Sequence, residues 1–285
     1  MEEMSQIYLE HSQQVEEADD SPTPIMDHYY FQGGNNALAT MVNLNQSEFE
    51  TVWAIVESVL DAHFMTLAVL KHYNAWDKHA LNFGMKAPPT FAKMVQRVLD
   101  LVEPVLFEHY VKPPSMTEQV RKDHDFENFP SALYCTDVKF QPSYRPTGRF
   151  DEAKHYFSGK HKLYGLKLEV SVAYPGFAVA VSDHSPGSVS DVSMFYNRGK
   201  IHRKMLRKSN TEMDIADQED GVDRWHDLTP RDLERSNKVS SDRVLVENYF
   251  GRMCSLWKIM SVTYKWNESK FDQMESTIMV YWLVQ

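Results

Sequence analysis

Residues 131–195 read SALYCTDVKFQPSYRPTGRFDEAKHYFSGKHKLYGLKLEVSVAYPGFAVAVSDHSPGSVSDVSMF, and the fold is decided inside them. From Leu133 to Phe140 the residues are β-prone. Extended geometry sends Leu133, Cys135, Asp137 and Lys139 to one face and Tyr134, Thr136, Val138 and Phe140 to the other. Asp137 is thus a carboxylate in mid-strand. From Gly165 to Val172 the alternation is cleaner, with Leu166, Leu168, Val170 and Val172 on one face and Lys167, Glu169 and Ser171 on the other, the pattern of a half-buried strand. Tyr174-Pro175-Gly176 turns the chain, and Phe177 to Val181 returns as a hairpin partner. Ser188-Val189-Ser190-Asp191 then reads as a helix start, with Ser188 as the cap and Asp191 in the capping-box position.

Working outward, the 285 residues carry a net charge of −10 that is unevenly placed. Residues 1–70 hold 12 of the 40 acids and no Lys or Arg, which leaves 28 acids against 30 bases, a net of +2, beyond them. The acidic balance therefore says little against a nucleic-acid partner for the larger part of the chain. Two cysteines, Cys135 and Cys254, with no CxxC pair, argue against a zinc knuckle or a disulfide framework and suggest a reducing compartment. No signal-peptide run or membrane-spanning stretch is visible, so the expectation is a soluble intracellular protein without a membrane partner.

Residues 1–44 are acidic and polar, without an amphipathic period, and are expected to be largely disordered. Residues 45–112 read as helical. Ser47 and Glu50 make a capping box before Phe49, Val52, Trp53 and Val56, and an apolar segment follows at Phe64–Leu70. A short helix near Trp76–Phe83 ends at Gly84, and Thr90 caps the next, whose buried face is Phe91, Met94, Val95, Val98, Leu99 and Val102. Its other face shows Lys93 and Arg97. Short helix, turn and helix have the outline of a helix-turn-helix, but a plain bundle exposes such a face too, and the two readings stand level. Pro104 is expected to break that helix from a further one, Val105–Val111, and Ser115 with Glu118 starts another.

Residues 141–162 interleave Arg145, Arg149, Lys154, Lys160 and Lys162 with Tyr144, Phe150, Tyr156 and Phe157, either a phosphate-gripping mix or a solvated loop. A second basic run holds Arg198, Lys200, Arg203, Lys204, Arg207 and Lys208, and an acidic run from Asp214 to Asp227 follows.

Taken together, Asp137 in a first strand, SGKHKLYGLK, PGSVSDVSMF and, far downstream, VENYFGRMCSLWKI resemble the DDE endonuclease domain of Harbinger/PIF-type transposases and the genes derived from them. The resemblance covers roughly residues 40–285. It implies an α/β, RNase H-like nuclease core over 113–285, preceded by an all-α DNA-binding region. It also implies DNA as substrate, a divalent metal pair (Mg²⁺ or Mn²⁺), a nuclear location, and a homo-oligomer or a partner DNA-binding protein. Asp137 matches the first acid of the family pattern and Glu247 the last, so both are candidate catalytic residues and metal ligands, with Asp191 a third candidate ligand. Lys93, Arg97, Lys160, Lys162, Arg203 and Lys204 are the candidate DNA contacts. The residues alone allow other roles: Asp137 paired with Lys139 or an arginine, Glu247 paired with Arg243 one turn back, and Asp191 as a helix-capping acid. Asp183 and His184, at the hairpin's end, are equally open. Gly251, one turn past Glu247, would let a backbone or a metal come close.

One departure from the family matters. Between the PGSVSD block and the VENYFG helix the family carries a further strand that ends in a second metal-binding aspartate. From Tyr196 to Ser241 no run of even four β-prone apolar residues occurs. The chain is therefore expected to lack that strand and its acid, with the lesion near Asp227–Leu228, and to be catalytically impaired. The apolar C-terminus at Gln285 suggests an end cut short.

Overall fold

The computed structural model describes residues 23–56, 60–147, 149–209 and 230–284. The acidic run at Asp214–Asp227 and the suspected lesion at Asp227–Leu228 lie outside them, as do residues 1–22 and the side chains of Arg207 and Lys208. The chain divides into two units. The first holds the residues up to His109 with Leu256–Ile259 and Gln273–Gln285, and the second holds Tyr110–Ser255 with Met260–Asp272.

The first unit is helical: α1 Pro24–Val42, α2 Gln46–Val56, α3 Leu60–His72, α4 Trp76–Asn82 and α5 Pro88–Tyr110. Helix α1 corrects the expectation of disorder up to residue 44. It is broken at Gly33 and Gly34, which is why no single period runs through it. Its start is capped from a distance, because the Asp61 carboxylate accepts from the backbone N–H groups of Ile25 and Met26, both at 3.0 Å. Met26, Leu38 and Val42 are buried. The cap of α2 is shifted too. Asn45 Oδ1 accepts from Glu48 N while Glu48 Oε2 accepts from Asn45 N, so the reciprocal box is Asn45/Glu48 and not Ser47/Glu50.

Helix α4 ends as expected at Gly84, whose φ of +66° suits glycine. Helix α5 starts at Pro88 and continues through Pro104 instead of breaking there. Its apolar stripe, Phe91, Val95, Val98, Leu99, Val102 and Leu106, is buried on both sides of the proline. Burial of each such side chain is worth roughly 1.5–3 kcal/mol, enough in sum to outweigh the ~3 kcal/mol an interior proline costs. The C-terminal segments join this unit. Trp257 and Tyr281 are fully buried, and the Tyr281 hydroxyl bonds to the buried His63 imidazole. The residues from 273 onward thus fold with the helical unit, where a single domain over 113–285 was expected.

The second unit opens with α6 Met116–Lys122, capped by Ser115, whose side chain accepts from Glu118 N as its sequence predicts. Around one long strand, β3 Leu163–Ala173, the rest of the sheet assembles: β1 Cys135–Pro142, β2 Phe157–Ser158, β4 Phe177–Val181 and β5 Ser185–Pro186, all antiparallel to it. The short α7 Phe150–Lys154 lies between β1 and β2 in sequence, and α8 Asp191–Asn197, α9 Gly199–Ser209 and α10 Pro230–Leu256 follow, while the last helix, α11 Phe271–Val284, belongs from Gln273 onward to the first unit. Helix α8 is capped by Ser190, which accepts from Ser193 N, so the start falls two residues after the expected Ser188.

Strand β3 is not half-buried. Lys167, Glu169 and Ser171 are as inaccessible as Leu168 and Val170, because helices cover the face that alternation assigns to solvent. An antiparallel sheet with helices, following a helical N-terminal region in sequence, is the α/β arrangement expected of a nuclease-like domain.

Candidate active site

Register decides which acids can meet. In the β1–β3 ladder Asp137 lies opposite Val170, Lys139 opposite Leu168 and Cys135 opposite Val172. Directly opposed residues of an antiparallel pair share a face, as the 2.9 Å bond between the Thr136 and Ser171 hydroxyls illustrates. Asp137 therefore stands on the Leu168–Val170–Val172 face. Glu169 and Lys167 stand on the other.

On the Asp137 face lies α10. Arg243 Nη2 sits 2.9 Å from Asp137 Oδ2, in a pair that leaves the carboxylate 26% exposed. Cys135 lies against the backbone of Val246, and burial pushes its thiol up to about 11. Glu247 follows Arg243 by four residues, about 6 Å along the helix, and is exposed. The structure thus sets Asp137 against the helix that carries Glu247. Of the pairings open from sequence, Asp137 takes an arginine, and the Arg243–Glu247 pair is not formed. Among the described residues outside its own helix turn, none comes within 4 Å of where a Gly251 side chain would begin, so no close approach explains this glycine.

On the opposite face Asp191, the first residue of α8, receives Lys167 Nζ at 2.8 Å and Lys160 Nζ at 3.5 Å. Burial pushes its carboxyl up, but the Lys167 hydrogen bond and the two lysine charges outweigh it and hold the group below the usual range. The sheet separates Asp191 from Asp137, so the two cannot share metals that sit roughly 3.5–4 Å apart. This removes Asp191 from the expected ligand set.

Beside it is a carboxylate that sequence reading passed over. Glu169, fully buried, accepts from Arg198 Nη1 at 2.6 Å and from His202 Nε2 at 2.9 Å. A carboxylate can only accept, so His202 donates from Nε2 and leaves Nδ1 to accept from the Tyr134 hydroxyl at 3.1 Å. Burial pushes Glu169 up, yet the His202 bond and the Arg198 charge hold it below its ordinary value. Burial also lifts Tyr134 to about 12. Arg198, one residue of the second basic run, is structural, and it also donates to Val181 O at 2.8 Å. The only sequence signal was a charged residue in a strand whose neighbours are apolar.

A third cluster surrounds His184. Its Nδ1 bonds the Asp272 carboxylate at 2.9 and 3.0 Å, and its Nε2 bonds Glu268 Oε1 at 2.9 Å. The Asp272 hydrogen bond, then that of Glu268, drive its pKa to about 9 against the opposing effect of burial. Neighbouring Asp183 is exposed.

Of the candidate DNA contacts, Lys93 and Arg97 are exposed on α5 in the first unit. Lys160, Lys162, Arg203 and Lys204 are exposed in the second. Lys160 through Asp191, and Arg203 and Lys204 through α9, belong to the Glu169 side of the sheet.

A two-metal centre needs several acidic oxygens converging without a competing cation. Among the described residues no group of three or more His, Cys, Asp or Glu side chains could hold an ion, and a guanidinium neutralises Asp137. The described donor set does not fit such a centre as it stands. No single described helix is long and apolar enough to cross a membrane.

A family model described as DDE superfamily endonuclease matches residues 133–281. That is more than half of the chain, and the chain belongs to that family. The same comparisons found no match to a curated protein or to a solved structure.

Proposed function

We infer that this member of the DDE superfamily endonuclease family is a transposase-derived protein of Harbinger/PIF type, which binds DNA on an RNase H-like scaffold and is impaired in cutting it. The observation that carries the reading is the Asp137–Arg243 pair. In a family whose chemistry draws on divalent metals, a guanidinium on the first acid supplies the positive charge that a metal would bring. It cannot activate water as a metal does. The exposed cations Lys160, Lys162, Arg203 and Lys204 support phosphate contact, which needs charge and no metal. A nuclear setting, with a second copy or a DNA-binding partner, goes with this reading.

A second reading is favoured by one observation: Glu247 is exposed one turn beyond Arg243, on the helix that meets Asp137. If Arg243 turns away, Asp137 and Glu247 could bind a metal and cut DNA. Nicking of supercoiled plasmid with Mn²⁺, beside DNA binding in EDTA, separates the two. The impaired reading expects binding in EDTA and no nicking above a no-protein control. Mn²⁺-dependent nicking that disappears in Asp137→Ala and in Glu247→Ala would establish the second reading and overturn the first.

A further inference from the structure

The loop after β1 and the turn before α11, both in the second unit, line a half-open cavity of about 350 Å³. Its walls include Tyr144, Tyr156, Tyr264 and Trp266, with Arg145 and Glu268 among them. Four rings around so small a space suit a flat ligand. The volume lies near the lower limit of small-molecule sites, roughly 300–1,000 Å³, and admits one planar unit and no duplex.

The polar groups narrow the choice. Arg145, exposed, lines the cavity and stands 5.8 Å over the Phe150 ring and 5.9 Å over the Tyr164 ring, two rings outside the cavity walls. Lys265 adds a second positive charge to the lining. Glu268 is fixed in place, since its Oε1 accepts from the Tyr156 hydroxyl at 2.9 Å and from His184 at 2.9 Å, while His184 is anchored by Asp272. Its other oxygen, Oε2, makes no hydrogen bond among the described residues and can accept from a ligand. An inorganic anion would have no use for four rings and a carboxylate. An apolar side chain would have no use for two cations.

We propose that this cavity receives an unpaired nucleobase of DNA, stacked among Tyr144 and Trp266, with its flanking phosphates met by Arg145 and Lys265 and an N–H of its edge donated to Glu268 Oε2. The proposal rests on the DNA reading above and deepens it, giving the protein a preference for distorted or frayed duplex over intact duplex. An aromatic platform contributes by stacking whatever the sequence, and the carboxylate favours bases that carry an amino donor over thymine, whose single edge N–H lies between two carbonyls that repel a carboxylate.

The test uses the full chain and three duplexes of equal length: fully paired, with one unpaired 2-aminopurine near the end, and with an abasic site in its place. Anisotropy gives the affinities, and 2-aminopurine emission reports stacking. The expected result is about tenfold tighter binding of the 2-aminopurine duplex than of the abasic one, with quenched emission. Tyr144→Ala and Trp266→Ala should each abolish both effects while the paired duplex binds as before. Tyr144 is 64% exposed, so its variant stays informative should Trp266→Ala fail to fold. Glu268→Gln should reduce the preference for cytosine over thymine at the unpaired position. Equal affinity for the abasic and 2-aminopurine duplexes, with the paired duplex still bound, overturns the pocket and leaves the DNA reading standing. Failure to bind any duplex overturns both. Capture of a proline-rich peptide by the same residues, with no base preference, assigns the cavity to a protein ligand and also overturns the proposal.

Discussion

Glu169 and Asp137 are both acids in mid-strand, and their surroundings give them different consequences. Glu169 is buried with two cationic or donor partners, and removing one member of such a group leaves the others uncompensated at a cost of about 3–5 kcal/mol. Glu169→Ala is accordingly expected to lower unfolding stability by an amount in that range, read from urea denaturation. Asp137 pairs with Arg243 near the surface, where an ion pair is worth roughly 0.2–1 kcal/mol. A double-mutant cycle with Asp137→Asn and Arg243→Gln should give a coupling no larger than that, and a larger one would mean the pair is part of the core. Two histidines set opposite pH slopes. His184 is raised from 6.5 to about 9, so its contribution is complete below about 6.5 and is lost as pH rises through 9. Burial lowers His63 to about 4, so its neutral form favours folding above about 6.5 and that contribution is lost as pH falls toward 4. Melting temperature measured from pH 4 to 10 should fall at both ends, with His184→Asn flattening the alkaline side and His63→Phe the acid side.

At the scale of elements, the β1–β3 ladder depends on a residue without a side chain. A Cβ on Gly165 would lie 2.4 Å from Gln141 O and 2.5 Å from the Phe140 ring, closer than atoms can approach. Gly165→Ala should therefore shift the β1–β3 register or displace Phe140 from its stack on His161. A drop in melting temperature far beyond that of Gly251→Ala, where the added Cβ has open space, is the expected readout. Helix ends show how far local reading goes. Ser115 caps α6 and Gly84 ends α4 as their spacing predicts, since partner and cap lie within four residues. Asp61 caps α1 from 35 residues away, and no local pattern announces it. For β3 the alternation correctly gave a strand and its two faces but not the burial of the polar one, where Arg198 and His202 satisfy Glu169 and Asp191 satisfies Lys167 without water.

For the whole molecule, the partition into two units has a direct consequence. Residues 273–285 fold with the N-terminal helices, so truncation after Asp272 is expected to unfold the helical unit, which buries Tyr281 and His63. Circular dichroism should register a loss of helicity well beyond the thirteen residues removed. Charge asymmetry leads to a further expectation: DNA affinity of the full chain should fall steeply and linearly in a plot of log K against log salt. Salt-independent binding would exclude phosphate contacts by Lys160, Lys162, Arg203 and Lys204. From the sequence by itself came the two principal strands, most helix positions, the DDE endonuclease family and the position of Asp137 within its strand, because periodicity, caps and ordered motif blocks act over short separations. Only the tertiary structure decided that Asp191 lies across the sheet from Asp137, that Arg243 reaches Asp137 from 106 residues downstream, and that Glu169 is buried. Those facts depend on strand register and on which helix covers which face, and both are set by contacts between residues far apart in the chain.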